Sequence, residues 1–174
     1  YNWLMKLREF SFGGCLADDM GLGKTIQTLT LLAMHHSEIK KTTTTKKTKK
    51  TGQLDLFSGV LDIEEKPATS LIIAPLSVIH NWENETKKFT PHFTSLIYAG
   101  NERNELLSKI TYYDLIFTTY GVVRNDINDL KNVGFDYIII DESQHIKNPD
   151  SHIFKAVTQL TARNRIVLTG TPIE

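Results

Sequence analysis

Asp18-Asp19-Met20-Gly21-Leu22-Gly23-Lys24-Thr25 closes on a glycine, a lysine and a threonine in succession, and how this stretch is read decides the fold. Before it, residues 15–17 read as a short buried strand. After it, from about Lys24 to His36, Ile26, Leu29, Leu32 and Ala33 recur on one face of a helix. Strand, glycine loop and helix in that order make a phosphate site. Gly23 lets the backbone come close to an anion, and the amides at the helix N-terminus point at it. Lys24 brings a point charge to the β and γ phosphates of a nucleotide, and the Thr25 hydroxyl is a ligand for magnesium. The general pattern asks for a glycine five residues before Gly23, where this chain has Asp18, so on spacing alone the match is partial.

Working outward, the next informative stretch is Ile138-Ile139-Ile140-Asp141-Glu142. Three isoleucines in a row cannot alternate between core and water, so their strand is covered by helices on both faces and is expected to be central. Two carboxylates where such a strand emerges can hold magnesium and orient water: Asp141 as the metal ligand, mostly through water, and Glu142 as the group that polarises the attacking water. Taken alone, the pair reads equally well as a solvated turn. The Gly-Lys-Thr element at the end of an earlier strand is what favours a nucleotide site.

Further strands are predicted at 71–74, 95–98, 115–118, 137–140 and 166–168, with helices at roughly 78–88, 120–131 and 151–161 between them. Trp3, Leu4, Leu7 and Phe10 also recur at helical spacing, ahead of a break at 11–14. Alternation of this kind means an α/β domain with a parallel sheet. The pattern stops between residues 37 and 70, and residues 40–51 are only lysine and threonine, six of them lysine. Such a stretch buries no apolar surface and is expected to be a disordered insertion.

Composition sets the outer bounds. With 174 residues of which 40% are hydrophobic, the chain suits one domain with an ordinary core. The longest apolar runs, such as 71–74 and 137–140, are far too short to cross a bilayer, and residues 1–10 lack the features of a signal peptide, so a cytoplasmic setting is expected. Cys15 is the sole cysteine, which excludes an internal disulfide and a multi-cysteine zinc site; it is expected to be a small buried residue. Twenty basic and twenty acidic residues balance, so composition does not argue for a nucleic-acid partner.

Residues 16–25, L-A-D-D-M-G-L-G-K-T, followed by Gln27, resemble the first motif of the Swi/Snf-type ATPases of helicase superfamily two, which carries aspartate where Asp18 stands. Further matches follow in the family's order: 72–85 (I-I-A-P-L-S-V-I-H-N-W-E-N-E), Thr118-Thr119-Tyr120, 141–148 (D-E-S-Q-H-I-K-N) and 168–173 (L-T-G-T-P-I). The resemblance implies a three-layer RecA-like P-loop domain, the first of two such lobes, with a mainly parallel sheet and helices on both faces. It implies ATP and magnesium as ligands, and a bacterial parent protein, working at the nucleoid, that couples hydrolysis to movement along double-stranded DNA. By that resemblance Asp18, Asp19, Met20, Gly21, Leu22, Gly23, Lys24 and Thr25 form the nucleotide loop. Asp141 and Glu142 fall on the metal and water-activating positions. Thr169, Gly170 and Thr171, with Gln144 and His145, fall on coupling positions, and Pro75, Leu76, Ser77, Thr118 and Thr119 on motifs that touch the DNA backbone. Read as residues alone, Ser77 and Thr118 are better explained as helix caps than as DNA contacts, and Trp82 as a core residue. Gln144 stands where many relatives have histidine and can still hydrogen-bond a neighbouring motif. A helicase subunit of a defence system, an RNA-directed relative and a nucleotide-dependent scaffold without turnover are the alternative readings.

The resemblance also implies that the adenine-reading glutamine lies before residue 1 and the arginine fingers lie in the second lobe, so residues 1–174 alone are expected to bind ATP weakly and hydrolyse it negligibly. Within the insertion, Gln53-Leu54-Asp55-Leu56-Phe57 resembles the Q-L-x-L-F peptide by which bacterial replication and repair proteins dock on the sliding clamp. Leu54, Leu56 and Phe57 would fill an apolar pocket and Gln53 would orient the peptide; a short sticky patch is the alternative. If the peptide docks, replacing Leu56 and Phe57 by alanine abolishes capture of the parent protein on immobilised clamp.

Overall fold

A computed structural model describes residues 6, 13–19, 21–48 and 69–170. Strands β1 (Gly14–Leu16), β2 (Ser70–Ile73), β3 (Ser95–Tyr98), β4 (Leu115–Thr118), β5 (Gly134–Ile140) and β6 (Thr161–Leu168) form one sheet in the order β1-β6-β5-β2-β4-β3. Every pairing in it is parallel. β5 therefore lies between β6 and β2, the central place that its isoleucines demand.

Helices cover both faces. On one, α1 (Lys24–Thr48) and α2 (Leu76–Phe89) pack Leu29, Leu32, Ile79 and Trp82 against Ile72, Phe117, Tyr137 and Ile139. On the other, α3 (Tyr120–Asn125), α4 (Ile127–Leu130) and α5 (His152–Gln159), with a 3-10 segment at Asn101–Tyr112, pack Ile110, Val123, Leu130 and Val157 against Leu71, Ile116, Ile138 and Ile140. Tyr137 and Ile139 thus face one helix layer and Ile138 and Ile140 the other, which is why an unbroken apolar run is required there.

Several boundaries differ from the sequence reading, each for a local reason. α1 does not stop at His36 but runs to Thr48, so residues 37–48 are helical rather than disordered. Once a helix is nucleated each further residue adds a backbone hydrogen bond, and lysine is a good helix former, so no buried face is needed to extend it. Residues 49–68, including the clamp-like peptide at 53–57, lie outside the described residues, as do Trp3, Leu4, Leu7 and Phe10. The expected helix at 120–131 is divided at Asp126, whose carboxylate accepts from Arg103 Nε at 2.6 Å, Arg103 Nη2 at 2.9 Å and the Tyr98 hydroxyl at 3.1 Å. The Arg103 guanidinium holds that carboxyl below its ordinary range, while burial and Asp126 push the Tyr98 hydroxyl up to about 12. β6 begins five residues earlier than expected because Thr161 and Ala162 pair with Gly134 and Phe135. Arg165 on that strand donates to the carbonyls of Val157 and Leu160, satisfying groups left open at the end of α5. Cys15 is half-buried within β1.

Two histidines mark how far α1 travels. His35 Nε2 meets Asp136 Oδ2 at 2.5 Å and His36 Nε2 meets Asp114 Oδ1 at 3.3 Å, near the starts of β5 and β4. The helix has therefore crossed the whole sheet by residue 36, and its remaining twelve residues extend about 18 Å past the edge. Because Ile139 is fully buried in the central strand, Ile139→Ala is expected to destabilise the fold by about 2–5 kcal/mol, read as a lower midpoint in urea unfolding.

Candidate functional site

All six strands point the same way, so the loops that follow them share one edge of the sheet. β6 pairs Leu168 with Leu16 of β1 and Val167 with Ile140 of β5. The Thr169 amide extends this ladder by donating to the Leu16 carbonyl at 3.1 Å. The loop after β1 and the carboxylates after β5 are consequently level, one strand apart on either side of β6.

In the loop, Gly21 and Gly23 have φ of 89° and 72°, a region that an L side chain rarely adopts. The backbone curls, and the Lys24 ammonium turns back to donate to the carbonyls of Asp18 at 2.7 Å and Asp19 at 3.1 Å. Gln27, one turn into α1, donates to Asp18 Oδ2 at 3.1 Å and to the Leu22 carbonyl at 3.2 Å, which ties the loop to its helix. Asp18 thus holds the loop in shape where the general pattern has glycine. Leu22 is exposed and Thr25 half-buried at the head of α1. Met20 is outside the described residues.

Across the edge, Asp141 is gripped from three sides. Its Oδ2 accepts from the Trp82 indole N–H at 2.8 Å, its Oδ1 from the Glu142 amide at 2.9 Å, and its carbonyl from the Tyr120 hydroxyl at 2.5 Å. Burial raises the Asp141 carboxyl above the ordinary range, and Glu142 adds to the rise; the Trp82 bond and the Lys24 charge oppose it. Burial and the two neighbouring acids also raise the Tyr120 hydroxyl. Glu142 has φ 53° and ψ 57°, alone among the described non-glycine residues in having positive φ. That left-handed turn takes the chain off the strand into a 3-10 turn at Ser143–Ile146, and Gln144 donates to Glu142 Oε2 at 2.7 Å.

The donors suit a magnesium–nucleotide pair. A hydroxyl at Thr25 and a carboxylate at Asp141 are oxygen ligands for a hard cation, and each Asp141 oxygen, with one lone pair engaged by an N–H, retains another. The Lys24 charge reaches Asp141 and is held by two carbonyls that an anion can replace.

The SNF2-related domain family matches residues 1–174. This chain belongs to that family. The SNF2-related domain is 37% identical over 175 residues to TATA-binding protein-associated factor MOT1 of Saccharomyces cerevisiae, covering 99% of this chain and 9% of that protein. It is 35% identical over 176 residues to the putative ATP-dependent helicase/translocase YwqA of Bacillus subtilis, covering 99% and 16%. Among solved structures, the Sulfolobus solfataricus SWI2/SNF2 ATPase core in complex with dsDNA matches with a TM-score of 0.75 and 42% identity, over 98% of this chain and 30% of that one. The RecA-like fold of these ATPase cores is the fold seen here. This SNF2-related domain spans less than a third of each relative.

Within it, the positions expected to touch DNA are not alike. Thr118 is fully buried and its hydroxyl donates to the Tyr98 carbonyl at 2.8 Å, which turns it away from any surface phosphate. Thr119 caps α3 by accepting from the Val122 amide at 3.2 Å. Ser77 is not the cap of α2: Pro75 holds that place, and Ser77 lies exposed in the first turn beside Leu76, which is 66% exposed. Gln144 bonds within its own motif instead of reaching a neighbouring one, because the 3-10 turn folds it back on Glu142. His145 is exposed and packs its ring 5.5 Å from that of Tyr120. Thr169 is buried behind the loop, Gly170 is half-buried beside it, and Thr171 is outside the described residues.

Trp82 and Tyr120 are the site residues the sequence left unassigned. Trp82 is a core residue as expected, at 1% exposure, but its N–H also serves the site. The signal was available: a buried indole or phenol needs a polar partner, and few exist near a sheet of isoleucines. Because the left-handed conformation penalises any Cβ, Glu142→Gly is expected to be more stable than Glu142→Ala by about 1 kcal/mol, compared by thermal or urea unfolding. An equal or reversed order would mean that the turn is not held in this conformation.

Proposed function

We propose that this domain is the nucleotide-binding lobe of a motor that couples ATP hydrolysis to movement along double-stranded DNA, remodelling or removing proteins bound there. The observation that carries the reading is the level placement of the Lys24 loop and the Asp141–Glu142 pair on either side of β6. Lys24 would exchange the loop carbonyls for phosphate oxygens and hold them electrostatically. Thr25 and Asp141 would hold magnesium, which would supply positive charge to offset that of the phosphates. Glu142, steadied by Gln144, would orient the attacking water and take up its proton. On the same edge, the exposed first turn of α2 with Leu76 and Ser77 offers backbone amides to a DNA phosphate, a contact that positions a strand without reading its sequence.

Support for the DNA partner comes from the archaeal ATPase core solved with dsDNA. A second lobe in the parent chain would complete the site, and its arginines account for roughly 10³–10⁵ in rate. A bacterial, nucleoid-associated setting belongs to the same proposal and rests on the sequence resemblance alone, and docking on a sliding clamp through Gln53, Leu54, Leu56 and Phe57 would be an additional tether.

ATP hydrolysis by the full-length parent, with and without duplex DNA, tests the reading. Duplex is expected to stimulate turnover, Glu142→Gln to lower it by about 10²–10⁴-fold, and Lys24→Ala to abolish it. Residues 1–174 alone are expected to turn over at least about 10³-fold more slowly than the parent. Nucleotide binding without any turnover in the parent would replace the motor by a nucleotide-dependent scaffold.

A further inference from the structure

We propose that Trp82 is a positioning residue for the metal site: its indole N–H fixes the orientation of the Asp141 carboxylate and thereby sets the affinity of the site for magnesium. This rests on Asp141 being the magnesium carboxylate.

A side chain that merely fills the core beneath the sheet edge needs bulk and no donor. Trp82 supplies bulk, packing its ring 6.5 Å from that of Phe117, but it also places Nε1 at 2.8 Å from Asp141 Oδ2. The indole N–H only donates, so it acts on the carboxylate as an acceptor and cannot reverse its role. The Glu142 amide holds Oδ1 at 2.9 Å. Between them the two donors fix the rotation of the carboxyl group about its last torsion, an angle that is otherwise broad. One lone pair on each oxygen is thereby committed and the remaining pair faces a defined direction.

The geometry of α2 explains how a residue six positions beyond the helix start reaches this point. Helical side chains lean toward the N-terminus, and α2 begins at the edge where β5 ends, so a long side chain on its inner face returns toward the strand ends. A shorter aromatic would stop short of Asp141. Partners that orient a ligating carboxylate in this way typically change metal affinity or activity 10–100-fold when removed.

The test uses the full-length parent and a fluorescent ADP analogue, with binding followed first without magnesium and then as magnesium is added. Trp82→Phe removes the donor. Insertion of the benzothiophene isostere of tryptophan at position 82 removes the N–H while keeping the ring shape, and so guards against a packing defect. Phe117→Leu loosens the same packing and keeps the N–H, and Asp141→Asn tests the site itself. The isostere and Trp82→Phe are expected to raise the magnesium concentration at half-saturation by about tenfold or more, with metal-free ADP affinity unchanged and Phe117→Leu without effect. A shift below about twofold for the isostere, beside a large shift for Asp141→Asn, would overturn the role of Trp82 while leaving the metal site in place. An unchanged titration for Asp141→Asn would overturn the assignment of Asp141, and the inference with it.

Discussion

The site depends on β6 being seated between β1 and β5. Neither the phosphate loop nor the acidic pair touches the other through its own strand; both are referred to β6, which pairs Leu168 with Leu16 and Val167 with Ile140. Strand spacing then places the two halves roughly 10 Å apart, a span in which a phosphate chain and its cation fit. Parallel pairing is essential, because an antiparallel β6 would bring the wrong end of the strand to the edge. A one-residue slip would move the acids by about 3.3 Å and turn their side chains to the opposite face of the sheet. The apolar residues on both faces of β5 and β2 oppose such a slip, so the core holds the site in register.

Around Asp141 the structure accepts unfavourable terms that a stability-driven sequence would avoid. A carboxylate is half-enclosed and its charged form disfavoured by burial, and the next residue adopts a left-handed backbone that costs a non-glycine residue about 1–3 kcal/mol. Three donors from separate elements, Trp82, Tyr120 and the Glu142 amide, offset this by fixing both carboxylate oxygens and the carbonyl. The arrangement leaves little to reorganise when charge arrives, the condition that the proposed phosphoryl transfer would need for electrostatic stabilisation.

Much of this could be read from the amino-acid sequence. The glycine loop, the isoleucine strand and the alternation of elements gave an α/β parallel sheet with helices on both faces, because each is imposed locally by backbone freedom or by two-sided burial. Where the expectation failed, the deciding contacts were distant in sequence. Ser77 and Thr118 had suitable side chains for capping or for a phosphate, but Pro75 takes the cap position of α2 and Thr118 is buried beside Tyr98, bonded to its carbonyl. The break at Asp126 depends on Arg103 and Tyr98, each more than twenty residues away. Gln144 was expected to hydrogen-bond a neighbouring motif, but the 3-10 turn folds it back on Glu142. The continuation of α1 through lysines and threonines escaped because hydrophobic periodicity cannot register a helix in a run of polar residues.

That continuation separates what is constrained from what is free. α1 starts at the edge where the nucleotide loop lies and leaves the sheet at the other, beyond the histidines that meet Asp136 and Asp114. Thr48 and Thr69, where the described chain breaks off and resumes, are therefore both on the side remote from the nucleotide loop. A surface insertion anchored at those two points can change in length or charge without disturbing the alignment of atoms at the opposite rim.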